Sequence, residues 1–187
     1  VVQNGVNFAV IVFAFLFVDL FDTVGTLIGE AGGFVSANVH SSVSGTVKKI
    51  QNFLMSNGRT CESVLIESDG EMTPDPTIAP PDVTSFGELS DAVRASGLVG
   101  LGGAGFPTSV KLDPNKISSI DTLLINGAEC EPYITSDTRT MIDDAEDVKE
   151  GILTILSLSG IAKVVIGIEN NKPECIAKLS EIFAGDD

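Results

Sequence analysis

The chain has 187 residues, with 26 Asp and Glu against 11 Lys and Arg, for a net charge of −15. Cations this scarce exclude a nucleic-acid-binding surface, which needs Lys and Arg to replace the counterions of a phosphate backbone. An anionic ligand would have to be held by main-chain N–H dipoles and one or two lysines, with the excess acid as solvated surface. Cys61, Cys130 and Cys175 stand far apart, none in C-x-x-C spacing, and His40 is the single histidine, so no zinc or iron–sulfur site is expected within the chain. The odd count and wide spacing fit reduced thiols. No histidine lies near Cys130 in sequence to activate it as a nucleophile.

Phe8 to Val18 is an unbroken apolar run of eleven residues, short of the roughly twenty that a spanning helix needs. Extending it to Ile28 reaches that length but places Asp19 and Asp22 in lipid, where carboxylates are functional by default. No Lys or Arg precedes the run, which argues against a signal peptide. From Phe34 to Ile50 apolar and polar residues alternate around a Ser44-Gly45 turn, and Ser63 to Ser68 forms a further strand closed by Asp69-Gly70. Short strands with glycine turns over residues 30–70 predict a small all-β barrel-sandwich module of the biotinyl/lipoyl-like kind. Lys48 and Lys49 fall within a strand rather than at a hairpin tip, so no carrier lysine is identified, and His40 reads as a plain strand residue. Residues 71–84 are a linker, because the four prolines between Glu71 and Pro81 preclude a helix or central strand.

From residue 85 the pattern is helix, glycine loop, strand, helix, strand, helix. Ser85-Phe-Gly-Glu88 is a capping box, Leu89, Ala92 and Val93 follow at helical spacing, and Gly97 stands where a C-terminal cap belongs. Strands are predicted at Asp121–Asn126 and Lys163–Ile168. The long helix between them starts among Asp143, Asp144, Glu146 and Asp147, where acids suit the helix dipole, buries Val148, Ile152, Ile155 and Leu156, and stops at Gly160. Pro173 opens the last helix, with Ile176, Leu179 and Phe183 on one face. Residues 85–187 thus predict an α/β fold with parallel strands.

Two segments carry the chemistry. In Gly100-Leu-Gly-Gly-Ala-Gly-Phe-Pro-Thr108, the glycines at Gly100, Gly102, Gly103 and Gly105 remove Cβ atoms, so main-chain N–H groups can approach a phosphate or a flat ring. Gly100, Gly102 and Gly105 also match G-x-G-x-x-G, but that fingerprint needs a preceding strand, and here a helix precedes it. In Asn126-Gly-Ala-Glu-Cys-Glu-Pro-Tyr133, an amide and two carboxylates stand where a strand ends. Together they point to a flavin or nucleotide site. Alone, the glycines also fit a tight turn that holds no ligand. No residue stands out as a general acid or base, so no catalytic residue is assigned.

These two segments, extended by Ile-Thr-Ser-Asp137 and by Ile166-Gly-Ile-Glu-Asn-Asn-Lys-Pro173, resemble the C subunit of the Rnf electron-transport complex, related to the flavoprotein subunit of respiratory NADH dehydrogenase. The resemblance runs from about residue 33 to about 183. It implies an FMN-binding domain of which residues 85–187 are the N-terminal part, its parallel sheet incomplete, since the family's domain and the cysteine motifs of its two 4Fe-4S clusters lie farther on. It implies FMN against the loop of Gly100, Gly102, Gly103, Ala104 and Gly105, with Lys111 reaching the flavin or its phosphate. Asn126 and Glu129 would bind the flavin, and Phe106 and Glu131 would border NAD(H). Electrons would pass between NADH and FMN and on to the clusters of a membrane complex, whose other subunits are the partners, at the cytoplasmic face of the cell membrane. A fragment of this kind is expected to be inactive alone.

Phe15-Leu-Phe-Val-Asp-Leu-Phe-Asp-Thr-Val-Gly-Thr-Leu-Ile-Gly29 resembles a transmembrane segment of nucleobase permeases of the xanthine/uracil/guanine–hypoxanthine type. That likeness implies a chimera, with residues 1–29 as a foreign hydrophobic leader and Asp19 and Asp22 as substrate groups. A permease fragment, or a non-catalytic docking module, is thus the alternative function.

Overall fold

The computed structural model describes residues 10–11, 27–100 and 105–185. Most of the expected leader, with Asp19 and Asp22, lies outside the described residues, as do Gly102, Gly103 and Ala104 of the glycine loop. Among the described residues no helix is long and apolar enough to cross a membrane.

The α/β part is built on a parallel sheet. Strands β1 (Val10–Ile11), β6 (Thr122–Gly127) and β7 (Lys163–Ile168) lie in the order β1-β6-β7, with β6 central. Leu123, Ile125 and Gly127 of β6 pair in register with Val164, Ile166 and Ile168 of β7, so one face of the sheet carries both rows. Helices α3 (Ser136–Asp143), α4 (Ala145–Ser159) and α5 (Pro173–Ile182) supply the core that covers this face, with Met141, Val148, Ile152, Cys175 and Leu179 buried in one cluster with Leu123 and Ile125. At roughly 25 cal/mol per Å² of apolar surface, such a contiguous cluster is the main favourable term holding the layers together. Val165, which points to the opposite face, remains 40% exposed.

Before the sheet come the all-β residues. Strand β2 (Leu27–Gly29) pairs antiparallel with β3 (Val39–His40), and β4 (Gly45–Leu54) pairs antiparallel with β5 (Thr60–Ser68). The alternation read from Phe34 does not become a strand until Val39. Gly33 donates its N–H to the Ser36 hydroxyl at 2.9 Å and accepts that hydroxyl's hydrogen on its carbonyl at 2.7 Å, which closes a turn where extended chain was expected. Lys48 and Lys49 do lie inside β4, and Lys48 pairs with Glu67 across the hairpin. Residues 71–84 contain no helix or strand.

Helix α1 (Phe86–Ala95) starts with the predicted capping box: the Ser85 hydroxyl accepts from the Glu88 N–H at 3.3 Å and the Glu88 carboxylate accepts from the Ser85 N–H at 3.0 Å. The long helix ends at Gly160 in left-handed conformation, as the sequence implied. The single helix expected between the strands is two helices, however, broken at Asp144, whose φ of −109° and ψ of 28° leave the helical region. A four-residue helix α2 (Thr108–Lys111) and a 3-10 turn at Ile117–Ser119, too short for periodicity to reveal, connect the glycine loop to β6.

The C-terminus of α1 is also where residues 33–38 dock. Arg94 donates from Nη2 to the Gly33 carbonyl at 3.0 Å, and Asn38 donates from Nδ2 to the Ala95 carbonyl at 2.9 Å, which satisfies one of the orphan acceptors at the helix end. Gly97 makes this contact possible. Its φ is +74°, and a Cβ on it would stand 2.3 Å from the Asn38 carbonyl oxygen. Gly97→Ala is therefore expected to destabilise the protein by about 1–3 kcal/mol, from left-handed strain together with displacement of Asn38. Gly100→Ala, whose Cβ would meet nothing closer than 3.8 Å among the described residues, serves as the near-neutral control. Thermal melts of the two variants check the difference; equal melting temperatures would show that the docking is not tight.

Candidate functional site

The glycine loop is carried on a short stem rather than on a strand. Val99 and Pro107 form an antiparallel bridge, Gly100 donates its N–H to the Phe106 carbonyl at 3.0 Å, and Thr108 donates to the Leu98 carbonyl at 2.8 Å. Leu98 and Thr108 are buried, so both feet of the loop are anchored. Gly105, with φ +62° and none of the described residues against its missing Cβ, turns the chain back into the stem. Phe106 is 40% exposed beside it.

Lys111 ends the four-residue helix that follows this stem. It is partly buried, and burial pulls its pKa below the ordinary lysine value. Among the described residues it has no ion-pair partner, in a chain where acids outnumber bases by more than two to one. A half-desolvated ammonium that its own fold does not neutralise suits an anionic group of a ligand.

The acidic motif follows the C-terminal end of β6, where open parallel sheets bind their ligands. Asn126 is exposed, and its side-chain oxygen accepts from the Ala128 N–H at 3.1 Å, an Asx turn that bends the chain off the strand. Gly127 is packed: a Cβ there would lie 3.1 Å from both the Gly167 carbonyl and the Met141 sulfur. Glu129 turns inward, and its side chain is only 1% exposed. Its Oε1 accepts from the Asp137 N–H at 2.8 Å, and its Oε2 accepts from the Thr138 hydroxyl at 2.6 Å and from Lys172 Nζ at 2.8 Å. Lys172 donates to the Thr138 hydroxyl oxygen as well, at 2.7 Å. Glu129 thereby caps α3, whose own N-cap residue, Thr135, makes no side-chain cap bond.

Glu131 and Tyr133 remain exposed on the same loop, and Tyr133 has a left-handed backbone (φ +66°), in a turn closed by the Ile134 N–H on the Glu131 carbonyl. A tyrosine held in this region is strained by roughly 1–3 kcal/mol. Asp137 has its pKa raised, first by burial and then by the charges of Glu129 and Glu131, which Lys172 partly offsets.

The residues singled out from sequence fall into two separate groups in the structure. Gly100, Gly105, Phe106 and Lys111 belong to the stem and its helix, and Asn126, Glu129 and Glu131 belong to the strand-end loop. No hydrogen bond or ion pair among the described residues joins the groups. Asp137 and Lys172 lie in the quoted segments but were given no role there, and Thr138 was not singled out; the available signal was Lys172 itself, a cation at the start of a helix, where the dipole disfavours it. Among the described residues no cluster of His, Cys, Asp and Glu could hold a metal ion.

Known proteins of similar sequence match the stretch that holds this stem, strand-end loop and sheet. The chain belongs to the family of the Nuo51 FMN-binding domain, whose model matches residues 93–187. The RnfC barrel sandwich hybrid domain matches residues 18–71. The C subunit of the Na(+)-translocating ferredoxin:NAD(+) oxidoreductase complex of Acetobacterium woodii is 42% identical over 175 residues, 88% of this chain and 38% of that protein. The C subunit of the proton-translocating ferredoxin:NAD(+) oxidoreductase complex of Clostridium ljungdahlii is 37% identical over 164 residues, 86% of this chain and 36% of that protein. The C subunit of the ion-translocating oxidoreductase complex of Rhodobacter capsulatus is 38% identical over 160 residues, 83% of this chain and 31% of that protein. The chain is thus a homologue of the Rnf C subunits and spans about a third of the length of these relatives. The α/β flavin-domain fold and the preceding barrel-sandwich expected from sequence both hold. The permease likeness is corrected: the barrel-sandwich match begins at residue 18, inside the segment that suggested a chimera, and Leu27–Gly29 pairs with Val39–His40 of that module.

The Glu129–Lys172 pair makes a pH-dependent contribution. Burial works to raise the Glu129 pKa, but the bonds from Lys172, Thr138 and the Asp137 N–H outweigh it and hold the carboxyl below its usual range. The Lys172 pKa is raised, first by its bond to Glu129. A lowered carboxyl stabilises above its unfolded value, about 4.3, and loses that stability as pH falls through the folded value; a raised lysine stabilises below about 10.4 and loses it above. Glu129→Gln is thus expected to melt below the wild type across that window, with the gap closing under about pH 4. Melting curves from acid to neutral pH check this, and a gap that persists in acid, where the carboxyl is protonated, would exclude the Glu129 charge as its source.

Proposed function

We propose that residues 85–187 hold FMN in an electron-transport flavoprotein subunit, with residues 30–70 as its barrel-sandwich module and 71–84 as the linker. The observation that carries this is Lys111: a half-buried cation without an ion-pair partner among the described residues, one short helix beyond a stem-anchored glycine loop. In this reading the N–H groups of Gly100, Gly102, Gly103, Ala104 and Gly105 approach the cofactor, and Lys111 balances its phosphate. Asn126 lies on the cofactor side of the strand end, while Glu131 and Phe106 border a nicotinamide nucleotide. Glu129, bonded to Lys172, acts by shaping the loop rather than by touching the flavin. FMN, when bound, supplies the exchange between two-electron and one-electron carriers, here NAD(H) and 4Fe-4S clusters; the protein supplies binding, orientation and charge. The names of the relatives support other subunits of an ion-translocating complex as partners. This subunit then sits at the cytoplasmic face of the membrane, held there by those partners.

Lys111→Ala separates phosphate binding from ring binding. Loss of one charge-assisted contact is expected to weaken FMN about tenfold, or about 1.4 kcal/mol, and to leave riboflavin, which lacks the phosphate, nearly unchanged. Fluorescence titration of both flavins against the intact subunit is the measurement. Equal weakening of both would remove Lys111 from the phosphate, and an intact wild-type subunit that retains no flavin would end the reading.

A further inference from the structure

Lys172 stands between two loops that leave neighbouring parallel strands. It is the residue before the first turn of α5, and its ammonium reaches back to the loop after β6, bonding Glu129 Oε2 at 2.8 Å and the Thr138 hydroxyl at 2.7 Å. Its side chain is 19% exposed and the Glu129 side chain 1%. Two features show that this placement is not incidental. A cation at the N-cap of α5 opposes that helix's dipole, and it makes no capping bond there, so the helix gains nothing from it. The bonded carboxylate belongs to the same three-residue stretch as Glu131, and that stretch also faces Asp137, whose pKa burial and the two glutamates raise. Three acids are thus gathered where an anionic dinucleotide or flavin phosphate would approach. Without Lys172, Glu129 would be a buried charge with no cation beside it, and such a carboxylate either takes up a proton or draws its loop out to water.

We propose that Lys172 is a positioning residue for the nucleotide cofactors: its two hydrogen bonds, to Glu129 and to Thr138, clamp the strand-end loop against the start of α5, and so set where Asn126 and Glu131 stand. The inference rests on the flavin reading of the site and adds to it a residue outside both motifs of the glycine loop and the strand end. Lys172 acts through Glu129 and touches neither flavin nor nicotinamide. It also removes one negative charge from the face that an anionic cofactor must approach, in a chain whose net charge of −15 offers little other compensation.

The test uses the intact subunit and compares wild type, Lys172→Met and the double variant Glu129→Gln/Lys172→Met. FMN affinity is read by fluorescence, and KM and kcat for NADH with ferricyanide as acceptor. Lys172→Met is expected to weaken FMN or raise the KM for NADH about tenfold, with a cooperative melt retained. The double variant is expected to return both to within about threefold of wild type, because the substituted glutamine keeps neutral bonds to the Asp137 N–H and the Thr138 hydroxyl and leaves no charge alone. A merely structural role would move the melting temperature and not KM. Lys172→Met with wild-type affinity and KM would overturn the inference, as would a double variant no better than the single one. Should Lys172→Met fail to fold, Thr138→Val, which removes both bonds of the Thr138 hydroxyl and keeps both charges, takes its place, and unchanged FMN affinity and KM would overturn it equally. A wild-type subunit without flavin would instead bring down the reading of the site, before any variant is compared.

Discussion

A carboxylate that is almost wholly removed from water must be hydrogen-bonded and paired, and much of the site's shape follows from how Glu129 meets that demand. Its two oxygens take a main-chain N–H, a hydroxyl and an ammonium. Each donor comes from a different structural need. Asp137 N–H is one of the groups that every helix N-terminus leaves unsatisfied, Thr138 belongs to that helix's first turn, and Lys172 arrives from the loop after β7. One acid thereby caps α3, ties α3 to α5, and fixes the exit of the chain from β6. The buried Cys175 packs in the same place, its thiol 3.7 Å from the Thr138 carbonyl and its pKa pushed up by burial, which makes it a packing residue rather than a reactive one.

This bracing depends on parallel pairing. Because β6 and β7 run the same way in an even register from Thr122↔Lys163 to Gly127↔Ile168, their following loops emerge side by side. Gly127 has no room for a side chain against Gly167 and Met141, so the last pair of the ladder can close before the chain bends at the Asx turn of Asn126. The core under β6, from Leu123 to Leu179, keeps the two strands and three helices as one layer pair. The loop geometry thus inherits its rigidity from apolar packing several residues away.

Charge is distributed with the same logic. Most of the acid is solvated, as at Glu88, where the carboxylate accepts from Thr84 and Ser85 and its pKa is lowered by those bonds. The cations are few, and two of them sit near the motifs in opposite conditions. Lys172 is used within the protein, bonded to Glu129 and Thr138, while Lys111 is half-buried and has no ion-pair partner among the described residues.

What the sequence determined was whatever rests on local rules. The capping box at Ser85 and Glu88, the left-handed stop at Gly160, Pro173 at the first turn of α5 and the span of β7 at Lys163–Ile168 all follow from residue type and spacing alone. The motifs around Gly100 and Asn126 were legible for the same reason, since they are continuous in the chain. Tertiary structure decided the rest. Ser36 turned back on Gly33 where alternation promised a strand, and Leu27–Gly29 found Val39–His40 where a hydrophobic leader was expected to end. The resemblance implies a flavin-binding role for Glu129, and nothing in its spacing tells that its carboxylate is buried against a partner 43 residues away. A pair so distant leaves no periodic trace, because its energy comes from burial and charge brought together by the fold, not from any preference of the residues between them.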